Sequence, residues 1–332
     1  MSGPRCIAAL VAVAISAVLP LSATAQSQSY PSRPITLIIP FAAGGPSDTV
    51  GRITADHMSR TLGQQLIVEN VAGAGGTLGA ERAAKAAPDG YTLFQHHSAL
   101  PAAHSLYANL RYDTRTAFET IGLINTGPMV LTSRKNLEVK DARSLMDWLR
   151  ERGDKATVAQ AGVGSNSYLC ALLLSQVSKA KFSMVPYRGT GPAMQDLVSG
   201  QIDILCDQAT TATPQIQSGT IKAYAVTSRE RLPALKDVPS SVEAGLTGFD
   251  MVIWNGFYAP RGTPKPMLDT LHGALQKMVE DPKIIERFAQ TGTVPFPPEM
   301  RSPAAHRKFL DSEIERFAQM VKAAGVKQEE AK

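Results

Sequence analysis

The sequence predicts an α/β protein of two lobes, built on mostly parallel sheets, with a ligand cleft between the lobes. Three observations predict it. Short β-branched runs alternate with helical patterns along nearly the whole chain, the grammar of strands joined through covering helices. Several strand-to-helix junctions are Gly-rich and polar, a layout that turns backbone N–H groups toward an anion. The length of 332 residues, 44% hydrophobic and 19% charged, suffices for two domains of ordinary size.

The chain opens on "MSGPRCIAALVAVAISAVLPLSATAQ". Arg5, an apolar run from Ile7 to Leu21 and the Ala23-Thr24-Ala25 triplet read as a secretory signal peptide, residues 1–25. A buried hydrophobic helix is the bland alternative. Cys6 precedes the apolar run, so the cut carries no lipid-attachment cysteine. No later apolar run approaches the ~18 residues of a membrane span. The mature chain is expected to be soluble, exported and monomeric.

Beyond the leader, "ITLIIPF" (35–41) is a strand, and "TVGRITADHMSRTLG" a helix carrying Val50, Ile53, His57 and Leu62 near a 3.6 spacing, stopped by Gly63. "QLIVEN", "YTLFQH", "FETIGLI" and "MVLTSR" follow as separate strands, with the Ala-rich helix "TLGAERAAKAAPDG" between the first two. The second part repeats the pattern. Helices are expected at "SLMDWLRERG", "SNSYLCALLLSQVSK", "GPAMQDLVSG" and "TPQIQSG", and strands at "ATVAQAG", "SMVPYR", "IDILCD" and "KAYAVTS". "MVIWNGFYAP" reads as a long strand. Three helices end the chain ahead of a solvated "KQEEAK" tail. Taking the strands near 129–133 and 249–258 as crossovers gives a discontinuous first lobe, residues 31–131 plus 250–332, and a second lobe, residues 132–249.

The net charge of +5 is dispersed, with no basic run and no basic-aromatic interleaving, so nucleic acid is not an expected partner. A mild positive bias suits small anions. The turn "FAAGGPSDT" supplies the first candidate site residues: Phe41, Ala42, Ala43, Gly44, Ser47 and Asp48, with Ser47 or Asp48 as helix cap. It lacks the lysine of a phosphate P-loop. "NVAGAGGTLGAERAA" breaks the dinucleotide pattern at Leu78 and reads as a wall loop, so no cofactor is expected. "FQHHSALPAAH" carries His96, His97 and His104 without nearby carboxylates, which argues against a metal site. One of the adjacent histidines is expected at a ligand, with Gln95 and Ser98 beside it. Successive strand residues point to opposite faces, and His96 is preferred on the premise that the pocket face alternates with buried Phe94. Gly164, Ser165 and Asn166 in "AGVGSNSYL", Arg188 in "YRGTGPAMQDL" as a carboxylate fork, and Asp207 with Gln208 in "IDILCDQATT" complete the candidates. No nucleophile elbow and no zinc-protease motif appears, and Gly-polar turns without an evident nucleophile favour binding over catalysis. Cys170 and Cys206 fall in segments that read as buried. Unpaired buried thiols are the expectation, with a disulfide as the alternative in an oxidising compartment.

Together "YPSRPITLIIPFAAGGPSDTVGR", "VENVAGAGGTLGAERAAKAAPDGYTL", "VPYRGTGPAMQDLVSGQIDI", "DVPSSVEAGLTGFDMVIWNGFYAPRGTPKPMLDTL" and "AAGV" resemble the tricarboxylate-transporter extracytoplasmic receptors, the Bordetella uptake gene family. The resemblance runs from Tyr30 to Val326. It implies a periplasmic-binding-protein-like fold and a non-catalytic receptor that closes over a small carboxylate. That receptor would hand its ligand to the membrane subunits of a tripartite secondary transporter. It also implies a carboxylate pocket at Phe41 to Asp48, faced by Gly164, Ser165, Asn166 and Asp207. Two departures stand out: Ala43 occupies a position where the family has Pro, and "FQHHSALPAAHSLY" replaces small or hydroxyl residues followed by Asn-Pro. The histidines point to a longer ligand with a second anionic end, an aromatic dicarboxylate of the phthalate type, met by a charged imidazole. The rival readings are a periplasmic hydrolase of carboxylate esters using His96 or His97, and a ligand sensor for a membrane kinase.

Overall fold

A computed structural model describes residues 30–323 and 328–329. The leader read at residues 1–25 lies outside them. In chain order the elements are β1 (Ile35–Ile39), α1 (Pro46–Leu62), β2 (Leu66–Asn70), α2 (Thr77–Ala84), β3 (Thr92–His97), α3 (Ala103–Leu106), β4 (Phe118–Arg134), α4 (Ala142–Arg152), β5 (Thr157–Gln160) and α5 (Asn166–Ser178). The chain continues with β6 (Ser183–Pro186), α6 (Thr190–Ser199), β7 (Ile204–Gln208), α7 (Ala209–Gln217), β8 (Ile221–Val226), β9 (Val252–Pro260), α8 (Lys265–Glu280), α9 (Pro282–Gln290), β10 (Val294–Pro295) and α10 (Pro303–Ala323).

The strands form one mixed sheet in the order β2-β1-β3-β9-β4-β7-β5-β6, with β8 and β10 also pairing β4. Its two wings, β2-β1-β3 and β7-β5-β6, are parallel, as βαβ connections require. Every pairing made by β4 and β9 is antiparallel. The sequence reading separates "FETIGLI" from "MVLTSR"; in the structure they are one strand, β4. It pairs with β9 as far as Pro128 and with β7 and β8 from Met129 onward. Pro128 has no N–H to offer a ladder, and it stands where the strand changes partners.

Each half has its own core. β1, α1, β3, α8 and α9 bury Ile35, Leu37, Ile53, Leu271, Leu275 and Phe288 together, so the C-terminal helices return to the N-terminal strands. α10 packs Leu310 and Ile314 against Phe94, Phe118 and Tyr258 on the opposite face. In the other half Leu145, Leu149, Val158, Leu174, Ile204 and Phe249 surround Cys170 and Cys206. These two cysteines form a disulfide, where unpaired thiols were expected: α5 and β7 pack in one core with the Cα atoms 6.1 Å apart, within bridging range.

Two further differences have local causes. Pro214 reads as a helix start, yet it lies inside α7, which follows β7 directly with no turn residue to announce it. The solvated tail is pinned at one point. Glu329 N–H donates to the Leu106 carbonyl (2.8 Å) and Ala108 N–H to the Glu329 carbonyl (2.9 Å), while the Gln328 and Glu329 side chains stay exposed. Among the described residues no helix is long and apolar enough to cross a membrane.

Candidate functional site

The ends of β1, β3, β5 and β7, the starts of α1, α5 and α6, and Met129 at the partner change of β4 converge on one cavity. Its volume is about 20 Å³, room for about one water. Phe41, Pro46, Ser47 and His97 line one side, and Ser165, Asn166, Thr190, Asp207 and Gln208 the other. The halves are closed on each other around it. Ala42 N–H donates to the Arg188 carbonyl (3.1 Å). The Ser98 hydroxyl donates to Asn166 Oδ1 (3.0 Å) and the Tyr107 hydroxyl to the Val163 carbonyl (2.7 Å). Glycines allow this approach: a Cβ on Gly191 would lie 2.4 Å from the Ala43 carbonyl oxygen, and one on Gly75 1.9 Å from that of Val163.

The turn after β1 is built to a set shape. Gly44 sits at φ +79°, a conformation that favours glycine, and Gly45 precedes Pro46 at the first helical position. The cap is therefore Gly45 rather than Ser47 or Asp48, because proline already presets the helical φ one residue earlier. The first-turn N–H groups of α1 have no partner within the helix and lie at its positive end. Asp48 is buried but turned away from the cavity. Its Oδ2 accepts from Gly44 N–H (3.0 Å) and Arg52 Nε (2.9 Å), and its Oδ1 from Asn70 Nδ2, which also reaches the Phe41 carbonyl. Burial raises the Asp48 pKa, but these donors and the Arg52 charge outweigh it and hold the carboxyl below its ordinary range. Asp48 thus braces the turn. Gln95 does the same from β3, donating to the Ser47 carbonyl (3.1 Å).

The histidines change places relative to the sequence reading. His97, not His96, lines the cavity. Gln95 and His97 share the face of β3 that meets α1, whereas His96 shares the Phe94 face and packs edge-on against that ring (5.4 Å). Alternation was the right rule applied from the wrong anchor, since Phe94 faces a separate apolar core. His97 stacks on Phe41 with centroids 4.6 Å apart. Burial pulls its pKa down to about 3 and that of His96 well below the usual value, with His97 adding to the latter. Both rings are therefore neutral at neutral pH, in place of the charged imidazole expected. His97 Nδ1 accepts from Ala99 N–H (3.1 Å), which leaves Nε2 as the protonated nitrogen and a donor.

On the facing side, Ser165 caps α5 by accepting from Tyr168 N–H, and Gly164 before it takes φ +77°. Asn166 spends Oδ1 on Ser98 and leaves Nδ2 unpartnered. Asp207 ends β7 with Oδ2 accepting from the Thr211 hydroxyl and Oδ1 unpartnered; Thr190 Oγ1 and Gln208 Oε1 are also unpartnered. Burial raises the Asp207 pKa against hydrogen bonds from Thr211, Thr190 and Gln208 N–H. Arg188 is not a carboxylate fork: its side chain is exposed and only its backbone reaches the cleft, through Ala42. Ala43 likewise meets Gly191 by its carbonyl alone. Sequence reading missed Thr190, Ser167, Ala161 and Met129. Thr190 lay in the quoted Gly turn, overshadowed by the charge of Arg188; Met129 carries no local signal.

The wall therefore offers backbone and neutral side-chain donors on the α1 side and at Asn166, acceptors at Asp207 and Gln208, and no Lys or Arg. Among the described residues no group of His, Cys, Asp and Glu could hold a metal ion.

Residues 50–326 match the family described as the tripartite tricarboxylate transporter family receptor. The UPF0065 protein from the TAR-I ttuE-ttuC' intergenic region of Agrobacterium vitis is 45% identical over 95% of this chain and 91% of its own length. The structure of the periplasmic binding protein BugD superposes with TM-score 0.87 at 42% identity, covering 90% of this chain and all of BugD. MatC from Rhodopseudomonas palustris, solved with bound malate, gives TM-score 0.84 at 40% identity over 88% of this chain and all of MatC. These relatives are binding proteins rather than enzymes. With the family matching from α1 to beyond α10, and two solved binding proteins sharing the fold over nearly the whole described chain, the protein belongs to the tripartite tricarboxylate transporter receptor family.

Proposed function

We propose that this protein captures a small carboxylate in the periplasm and delivers it to the membrane subunits of a tripartite transporter. The observation that carries the reading is the cavity itself: both halves contribute helix N-termini and neutral donors to one closed space, with no cationic side chain on its wall. Fixed N–H groups in a dry site stabilise an anion without a counter-charge. The likeness to malate-bound MatC supports a carboxylate, dicarboxylates included. The sequence of residues 1–25 supports export.

Calorimetric titration of the mature chain with malate, succinate, phthalate and neutral succinamide tests the reading. Saturable one-to-one binding of a carboxylate, with none of the amide, is expected. Absence of binding by every carboxylate, or turnover of carboxylate esters, would refute it. Labelled-ligand uptake by cells should need both this protein and the transporter membrane subunits, and uptake surviving loss of those subunits would remove the delivery step.

A further inference from the structure

Asp207 is an unusual group to find in a site for anions. It is 1% exposed, lies on the cavity wall, and keeps Oδ1 without a hydrogen-bond partner while Thr211 serves Oδ2. Gln208 beside it, also buried, holds an unpartnered Oε1 toward the same space. Opposite stand donors: the start of α1, the unpartnered Nδ2 of Asn166 and the Nε2–H of His97. No charged side chain other than Asp207 lines the cavity, and His97 is the other titratable group there.

A plain carboxylate satisfies only the donor wall. It would bring its charge close to Asp207 and leave Oδ1 buried and unpaired, a double penalty in a dry site. A ligand that also carries an N–H or O–H donor removes both costs, because Oδ1 then accepts. The donor and acceptor walls face each other across a space of about 20 Å³, so the two ligand groups must be close neighbours.

We infer that Asp207 makes this site selective for carboxylates bearing a hydroxyl or ammonium on the carbon next to the carboxylate. This rests on the receptor reading above and narrows its ligand class. A site built to pair with a ligand donor rejects the analogue that lacks it, because its own buried acceptor is left unmade.

The test uses matched probes on the mature protein with its disulfide intact: L-malate against succinate, L-lactate against propionate, and L-aspartate as the ammonium arm. Wild type is expected to bind one donor-bearing acid at least tenfold tighter than its unsubstituted partner. Whether malate or aspartate leads identifies the donor as hydroxyl or ammonium. Asp207→Asn, near-isosteric and without the charge, should weaken the preferred acid at least tenfold while succinate binding holds or improves. Opposite movements of the two ligands are not produced by a general loosening of the site. Equal wild-type affinity for malate, aspartate and succinate overturns the inference while the carboxylate reading stands, and that ratio decides even should the variant fail to fold. Succinate binding tighter than both, and weakened in Asp207→Asn, also overturns it, since the acid would then donate its own proton to the ligand. Failure of every carboxylate to bind overturns both.

Discussion

Gly191→Ala should prise the two halves apart without harming either. Gly191 is the second residue of α6, and its φ lies outside the left-handed region, so alanine suits its backbone and adds helix propensity. In the closed structure the new Cβ would stand 2.4 Å from the Ala43 carbonyl oxygen and 2.9 Å from the Gly44 carbonyl carbon and the Gly45 nitrogen, all backbone atoms of the opposite half. Ordinary contact begins near 3.4 Å, so the halves must separate by about 1 Å there. The Ala42–Arg188 bond, already 3.1 Å, breaks first, and the Ser98–Asn166 and Tyr107–Val163 bonds are next at risk. At roughly 0.5–1.5 kcal/mol each, the closed state loses about 1–4 kcal/mol, a drop in affinity of about fivefold to a thousandfold where binding requires closure. Calorimetry with the best carboxylate reads the loss. Small-angle scattering with ligand should show a larger radius of gyration than wild type. Gly273→Ala is the control: it lies exposed in α8 with nothing within 4 Å of its Cβ, and should add up to about 1 kcal/mol of stability with binding unchanged. Wild-type affinity in a folded Gly191→Ala protein would refute the argument that this seam must close around the ligand. Gly75 and Gly162 at the other rim make poorer tests, since their positive φ would strain an alanine in its own half as well.

The remaining predictions concern stability. His306 is fully buried against Tyr258 with both ring nitrogens unpartnered, and burial, then Arg307, pulls its pKa to about 3. The unfolded chain takes up that proton near pH 6.5, so the stability is present above this pH and is lost as pH falls toward the folded value, at about 1.4 kcal/mol per pH unit. His306→Leu should therefore lose about 2 kcal/mol less than wild type between pH 7.5 and 5 in urea unfolding, and identical losses would show that His306 is not buried neutral. Cys170→Ala/Cys206→Ala opens a loop with a sequence separation of 36 residues, and should cost about 4 kcal/mol in the same assay; an unchanged urea midpoint would count against the bridge.

Much of the fold was legible because its signals are local. Gly63 ends α1, alternating strands and helices give the two wings, and the apolar spacing of Val50, Ile53 and His57 falls on the buried face. What escaped was set by distant partners. β4 looked like two strands because nothing within it announces that one extended run serves two ladders in succession. The disulfide depends on α5 and β7 meeting in space, which neither segment encodes alone.

The site was legible as a set of turns but not as a set of roles. Polar residues after a glycine turn were assigned to the ligand, yet the structure divides them into those that reach the cavity and those that shape what reaches it. Asp48 and Gln95 spend their hydrogen bonds on the α1 turn, and Arg188 lends only its carbonyl to closure. Charge misled most: Arg188 drew attention away from Thr190 two residues on, and the histidines suggested a cation where burial leaves two neutral rings. The same comparison gives a rule for this site. A residue whose polar atoms are all satisfied by its own half holds shape. One that remains buried and unpartnered at the seam, as Asn166, Thr190, Asp207 and Gln208 do, is where the chemistry of the ligand is read.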